Sequence, residues 1–238
     1  MSSQHPIEDV EGGEFRMTGV EIEELISDCP QIFHMSERGA WANIRRRGLL
    51  SATALLDAYG VSGDARHQAE TQIRAKPVDI FDGESIAALL RDQTPMSEAG
   101  LKRALPPEIS PMEWRLKLNG LVFFWLTQTR LLRLANARSY RAREHEVIAL
   151  DTRRFVEAFY DRIWLSPINS GCTQPFACPR DSLTFRRIPD YDYAFWRRRR
   201  PKGERVVELC VDYAVLHIEP FVEERFVVQG ERRLGRLA

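Results

Sequence analysis

The sequence predicts an α+β fold, and three observations carry that expectation. Short helical segments lie between scattered strand-like runs without regular strand–helix alternation, which argues against a doubly wound parallel sheet. Neither a G-x-G-x-x-G turn nor a P-loop is present, so the common routes to dinucleotide binding on such sheets are missing. Apolar residues make up 44% and charged residues 29% of the 238 positions, enough apolar side chains for a sizeable core. The length favours one large domain, or one domain with an insertion.

Residues 1–15 read as a polar, acidic tail, with Gly12-Gly13 and no periodicity. Val20–Ser27 has helical spacing and leads through Asp28-Cys29-Pro30 into a strand at Ile32 that ends in His34. Ser36 is placed to cap the next helix, in which Trp41 and Ile44 are three apart and Arg45–Arg47 turn to water. Gly48 stops that helix and Leu49-Leu50 returns to the core. Ala52–Tyr59 is a second short helix ended by Gly60. Ser62–Pro77 is polar, and Val78–Phe81 is a short apolar run closed by Asp82-Gly83. Ser85–Arg91 and Ser97–Leu105 read as helices, the second broken by Pro106-Pro107. Ser110-Pro111-Met112-Glu113 combines a serine cap, Pro at the first helical position and Glu at the third, and opens a helix that stops near Asn119-Gly120. Residues 62–119 are therefore expected to form a mainly helical insertion, too polar and broken to hold a core of its own.

Leu121–Leu126 (L-V-F-F-W-L) is the most hydrophobic stretch and reads as a buried strand, with Phe123 in the core. Thr129–Ala137 is a helix with Leu131, Leu132 and Leu134 near one face. Val147–Leu150 is a strand, Asp151-Thr152 caps a helix at Arg153–Tyr160, and Ile163–Leu165 is a strand running into Ser166–Gly171. A long loop to Pro201 carries Arg197–Arg200. Arg205–Val211 is a strand, and Glu224–Gln229 is the last one, with an arginine-rich tail behind it.

Lys plus Arg and Asp plus Glu number 34 each, so net charge points to no partner and only local clusters can. Arg197–Arg200 beside Phe195-Trp196 is the one concentrated basic patch. It has the residue types that track phosphates and stack on bases, and equally those of a solvated run. The four cysteines, Cys29, Cys172, Cys178 and Cys210, form no C-x-x-C pair and are expected to be reduced thiols, with no metal bound. The N-terminus lacks a signal peptide and no apolar run is long enough to span a bilayer, so a cytoplasmic protein without membrane contact is expected.

Two side chains stand out chemically. His34 is expected at a strand end beside a helix start, where unpartnered N–H groups suit an anionic, ribose-bearing ligand; a half-buried histidine satisfied by backbone is the plain alternative. Strand alternation puts Val206, Glu208, Cys210 and Asp212 on one face, with Glu208 mid-strand between apolar neighbours. There it would serve as a general base or electrostatic stabiliser, unless the strand is an edge and the carboxylate faces solvent.

The order strand, His34, Ser36, helix, Gly48-Leu49, followed by V-F-F-W at 122–125 and V-E-L-C-V-D-Y at 207–213, resembles the motifs of the ADP-ribosyltransferases. The likeness is nearest to the DarT-like DNA ADP-ribosyltransferases and the RNA 2′-phosphotransferase branch. Around Asn119–Trp125 and Ser166–Gly171 the chain is also similar to a bacterial family of unknown function. The first resemblance implies a split pair of small sheets around a cleft and NAD as substrate. It implies His34 and Ser36 on a ribose, Phe124 or Trp125 stacked on nicotinamide, Asn169 at the segment between the second and third motifs, and Glu208 as the catalytic carboxylate. Arg130 would meet the pyrophosphate or position the base, although the family arginine lies in a Pro-containing loop and Arg130 in a leucine-rich helix. The implied acceptor is nucleic acid, DNA or RNA. The competing expectation is a non-catalytic nucleotide- or partner-binding module on the same fold.

Overall fold

The computed structural model describes residues 17–175 and 177–237; the expected tail at 1–15 lies outside them. The chain opens with α1 (Gly19–Asp28), whose start is closed by a reciprocal box between Thr18 and Glu21. Next come β1 (Gln31–Glu37), α2 (Trp41–Arg47), β2 (Leu49–Leu50), α3 (Ala52–Ala58) and α4 (Gly63–Thr71). A hairpin, β3 (Val78–Asp82) and β4 (Ser85–Leu90), is followed by α5 (Glu98–Ala104) and α6 (Pro111–Asn119). Then come β5 (Leu121–Trp125), α7 (Gln128–Ala135), β6 (Glu144–Asp151), α8 (Thr152–Phe159), β7 (Ile163–Ser166) and β8 (Arg186–Arg187). The chain closes with α9 (Tyr193–Arg199), β9 (Glu208–Asp212), β10 (Ala214–Val215), β11 (Val222–Gln229) and β12 (Arg232–Leu237).

The architecture is α+β. Eight strands form one antiparallel sheet in the order β12-β11-β6-β1-β5-β9-β7-β8, and β10-β2 and β3-β4 are separate two-stranded ribbons. The sheet is thus continuous, not a pair of unconnected small sheets. Its continuity is weakest at β1–β5, where Phe33↔Trp125 is the one register pair, whereas β1 pairs with β6 along its whole length and β5 with β9 likewise. A seam therefore divides two four-stranded halves.

Period-two alternation gives the sheet two apolar faces. One carries Ile32, Ile148, Leu150, Phe124, Leu209 and Val211, covered by α1 and α8 through Leu25, Phe155 and Val156. On the other face, α7 covers one half through Leu131 and Ala135, which pack on Phe33, Met35, Val147 and Phe226. α5 and α6 cover the other half, Leu101, Trp114 and Leu118 packing with Leu121 and Cys210. The second half of the 62–119 segment is thus part of the domain's own core, and a fourth small cluster of Leu56, Ala69, Ile80 and Leu90 ties the first half to α3.

Several expectations need correction. Ser85–Arg91 is not a helix: β4 pairs with β3 through an Asp82-Gly83-Glu84-Ser85 turn with Gly83 at φ +61°. The Asp-Gly signal for a tight hairpin outweighs weak helical spacing there. Residues 62–119 are therefore three helices and a hairpin. The stretch before Pro201 is not plain loop, since β8 and α9 lie in it, and the arginine-rich end is the strand β12, paired to β11. Ser36 caps nothing. β1 continues through Glu37, α2 starts at Trp41 with Ala40 at its cap position and no side-chain cap, and Ser36 Oγ donates to the Glu146 carbonyl at 3.3 Å. Phe123 is half-buried; Phe124 is the strand's buried phenylalanine, 1% exposed.

Gly48 does stop α2, at φ +84°. A Cβ there would collide with the Val215 carbonyl where β2 pairs with β10. Gly48→Ala is expected to cost roughly 1–3 kcal/mol from backbone strain at this positive φ, before any clash. A urea midpoint equal to that of the parent protein would contradict this.

Candidate functional site

The seam opens onto a cavity of about 560 Å³. Register places two of its lining residues side by side: Trp125 on β5 pairs with Glu208 on β9, flanked by Phe33 on β1 and Ser166 on β7. Two inter-strand spacings separate the Phe33 and Glu208 backbones, about 10 Å. His34, Ser36, Trp125, Asn169 and Glu208 all line this cavity, so five of the seven candidate residues converge on it.

Phe124 and Arg130 do not line it. Phe124 points into the core, edge-on to Phe155 with ring centroids 4.9 Å apart, so of the two aromatic candidates only Trp125 borders the cavity. Phe123, its neighbour two residues back on the same face, borders it too. Arg130 pairs with Glu204, and its buried Nε has no hydrogen-bond partner among the described residues. It acts on the site only at a distance, as one of the positive charges that favour ionised Glu208.

Glu208 begins β9 instead of sitting mid-strand, and it is only 3% exposed. It is neither on an edge strand nor turned to solvent, since β9 lies between β5 and β7. One carboxylate oxygen, Oε2, accepts from Ser170 Oγ at 2.6 Å and from the Ser170 backbone N–H at 3.0 Å. Burial pushes its pKa up to about 7, against these two hydrogen bonds and the positive charges of Arg180 and Arg130. The carboxyl therefore changes charge near neutrality, where a proton acceptor is most useful.

Ser170 is itself held in place. Arg180, 2% exposed, spends its guanidinium on backbone carbonyls of this loop. Nε donates to Ser170 O at 3.1 Å, Nη1 to Cys178 O at 2.6 Å, and Nη2 to Asn169 O at 3.3 Å and to Cys172 O. Sequence reading missed both residues. Ser170 was legible as part of Asn-Ser-Gly, but its partner is 38 residues away; Arg180 carries no local signal.

His34 lies inside β1, three residues before its end, and not at a helix start. Its Nδ1 is 2.9 Å from the Phe123 carbonyl across the seam, which makes Nδ1–H the donor and leaves Nε2 an acceptor. Burial pushes its pKa down to about 4, with the Arg91 charge adding to the effect, so the ring is neutral at physiological pH. A neutral acceptor nitrogen suits a ribose hydroxyl.

The Arg197–Arg200 run is partly consumed in structure. Arg197 pairs with Glu24 at 2.8 Å and Glu21 at 3.6 Å, and Arg200 donates to Pro167 O while stacking on Trp196 at 4.0 Å. Arg199 lies over Phe195 at 3.5 Å. Among the described residues no group of three or more His, Cys, Asp and Glu side chains is placed to hold a metal ion, and no helix is long and apolar enough to cross a membrane. The four cysteines are free thiols.

Residues 30–222 match a family described only as of unknown function, DUF7002. No curated protein matches. No solved structure matches.

Proposed function

We propose that this chain, which belongs to the DUF7002 family of unknown function, is an NAD-dependent ADP-ribosyltransferase with nucleic acid as its acceptor. The observation that carries the reading is the convergence of His34, Trp125, Asn169 and Glu208 on one seam cavity, with a carboxylate poised near neutrality. On this reading the seam is the cleft of the split-sheet transferase fold. Its volume lies within the range of pockets that take small molecules and cofactors.

Each group then has a chemical task. His34 Nε2 accepts from a hydroxyl of the nicotinamide-side ribose, with Ser36 at the same wall. Trp125 lies against the nicotinamide ring, and Asn169 offers an amide to polar groups of the ligand. The glycosidic bond breaks as nicotinamide leaves neutral with the bonding electrons, and positive charge develops on the ribose C1′ and ring oxygen. The carboxylate of Glu208 stabilises that charge and takes the proton lost by the acceptor as its oxygen or nitrogen bonds to C1′. Ser170 holds Oε2, leaving Oε1 for this work. Arg130 has no direct task here: it does not border the cavity and is paired to Glu204.

Incubation with labelled NAD and separate pools of DNA, RNA and protein tests the reading. Label on nucleic acid is expected. NAD binding without nicotinamide release would favour the non-catalytic module, and no NAD binding would remove the transferase. His34→Ala is expected to weaken NAD binding by about 10-fold, the worth of one good hydrogen bond in a desolvated site, and to cost less in stability, roughly 1 kcal/mol for the seam hydrogen bond to the Phe123 carbonyl. Equal affinity by calorimetry would take His34 out of the site.

A further inference from the structure

Part of the cavity wall comes from the 62–119 segment, to which the motif resemblance assigns nothing. Residues 86–93, from β4 and the turn after it, line the cavity. This strand is pinned across the end of β1 and across α2: Asn43 Nδ2 donates to Ala87 O at 2.9 Å, and Arg91 Nη1 donates to Met35 O at 3.0 Å. Arg91 is also fixed from behind, because Arg74 Nε donates to the Arg91 carbonyl at 2.9 Å and both Arg74 amino groups meet Asn119 Oδ1 at 3.1 Å.

Two guanidinium groups on this lining, Arg91 over the Tyr140 ring at 5.1 Å and Arg47 over the Tyr59 ring at 4.7 Å, each keep a buried N–H without a hydrogen-bond partner among the described residues, Nη2 of Arg91 and Nε of Arg47. The nearby carboxylates are already committed. Glu37 is shared between Arg91 at 3.5 Å and Arg143 at 3.1 Å. Asp92 accepts from Tyr140 Oη at 2.7 Å and from Thr94 Oγ1 at 2.8 Å. Buried donors of this kind are costly unless an acceptor meets them, and arginine forks match phosphoryl oxygens in particular.

We infer that Arg91 on the hairpin wall of this cavity, with Arg47 on α2, forms a subsite for a phosphoryl oxyanion. The inference rests on the proposed NAD reading for its ligand, the diphosphate of the donor, but the oxyanion chemistry is independent of it. A phosphodiester of a nucleic-acid acceptor offers the same oxygens.

Calorimetry on the full chain with inorganic pyrophosphate, ADP, adenosine and a short oligodeoxynucleotide tests this. The parent protein is expected to bind pyrophosphate and ADP, with adenosine at least 10-fold weaker than ADP. Arg91→Met should lower pyrophosphate and ADP affinity at least 10-fold, Arg47→Gln less, and neither should alter adenosine binding. Arg91→Lys keeps the charge but not the fork and should fall between, which gives a reading if Arg91→Met fails to fold. ADP displacing pyrophosphate assigns the donor's diphosphate; displacement by the oligodeoxynucleotide and not by ADP assigns the acceptor's phosphodiester. No pyrophosphate or ADP binding by the parent protein, or undiminished binding in both Arg91 variants, overturns the subsite. Pyrophosphate binding through Arg91 without any NAD turnover would leave the subsite standing and sink the transferase reading, whereas NAD turnover indifferent to Arg91 would do the reverse.

Discussion

Glu208→Gln is expected to bind NAD with near-parental affinity and to release nicotinamide roughly 10²–10⁴-fold more slowly, the range for loss of a positioned general base. Affinity survives because the contacts proposed for ribose and nicotinamide come from β1 and β5, not from β9. The amide keeps the shape of the carboxyl, and its oxygen can still accept both Ser170 hydrogen bonds. On the transferase reading the parent protein's rate should rise with pH through about 7, as the carboxylate forms.

The same substitution carries a stability effect of the opposite sense. The folded-state pKa of Glu208 lies above its ordinary value of 4.5, so between the two the folded chain holds a proton that the unfolded chain has released. Stability is therefore lost as pH rises from 4.5 to about 7, and the full cost of the buried charge is present above that. Glu208→Gln removes this cost and should raise stability at pH 8 by roughly 1–3 kcal/mol relative to its effect at pH 5. Parental turnover in the variant would show that another group accepts the proton. An identical stability difference at pH 5 and pH 8 would show that the carboxyl does not titrate as buried.

Phe124→Ala is expected to destabilise by about 3–5 kcal/mol, enough to unfold a marginal domain. The ring is 1% exposed and wedged between Phe155 on α8 and His34 on β1, with centroids 4.9 Å and 5.7 Å away. Phe123→Ala, one residue earlier on the half-buried cavity face, should cost clearly less and act on ligand affinity instead. Denaturant titration of the two variants side by side checks this; equal losses would contradict the assignment of the two faces.

What the sequence by itself determined is local. The Ser110–Glu113 box, the Pro111 start and the Gly48 stop each rest on hydrogen bonds or φ preferences among residues a few positions apart, so they can be read directly. The L-V-F-F-W strand is legible for a similar reason, because a run this apolar has nowhere to go but the core. The alternation around Glu208 also put it on the face it occupies, with Cys210. Ser85–Arg91 reads as a helix because an isolated short stretch satisfies helical and strand spacing alike, and the pairing of Ser85–Leu90 to β3 decides for a strand. The choice between Phe123 and Phe124, and between Trp125 and Phe124, could not be made locally either. Alternation says that the neighbours face opposite ways, and only the seam and the helices covering each side say which way is the cavity. Arg197 and Arg200 read as one basic patch until Glu24 and Pro167 claimed them. The site itself belongs wholly to this second kind. His34 meets the Phe123 carbonyl 89 positions on, Glu208 meets Ser170 38 positions back, and Arg91 meets Met35 56 positions back. Desolvation sets the pKa values of His34 and Glu208, and desolvation is a property of the packed neighbours, which no sequence window contains.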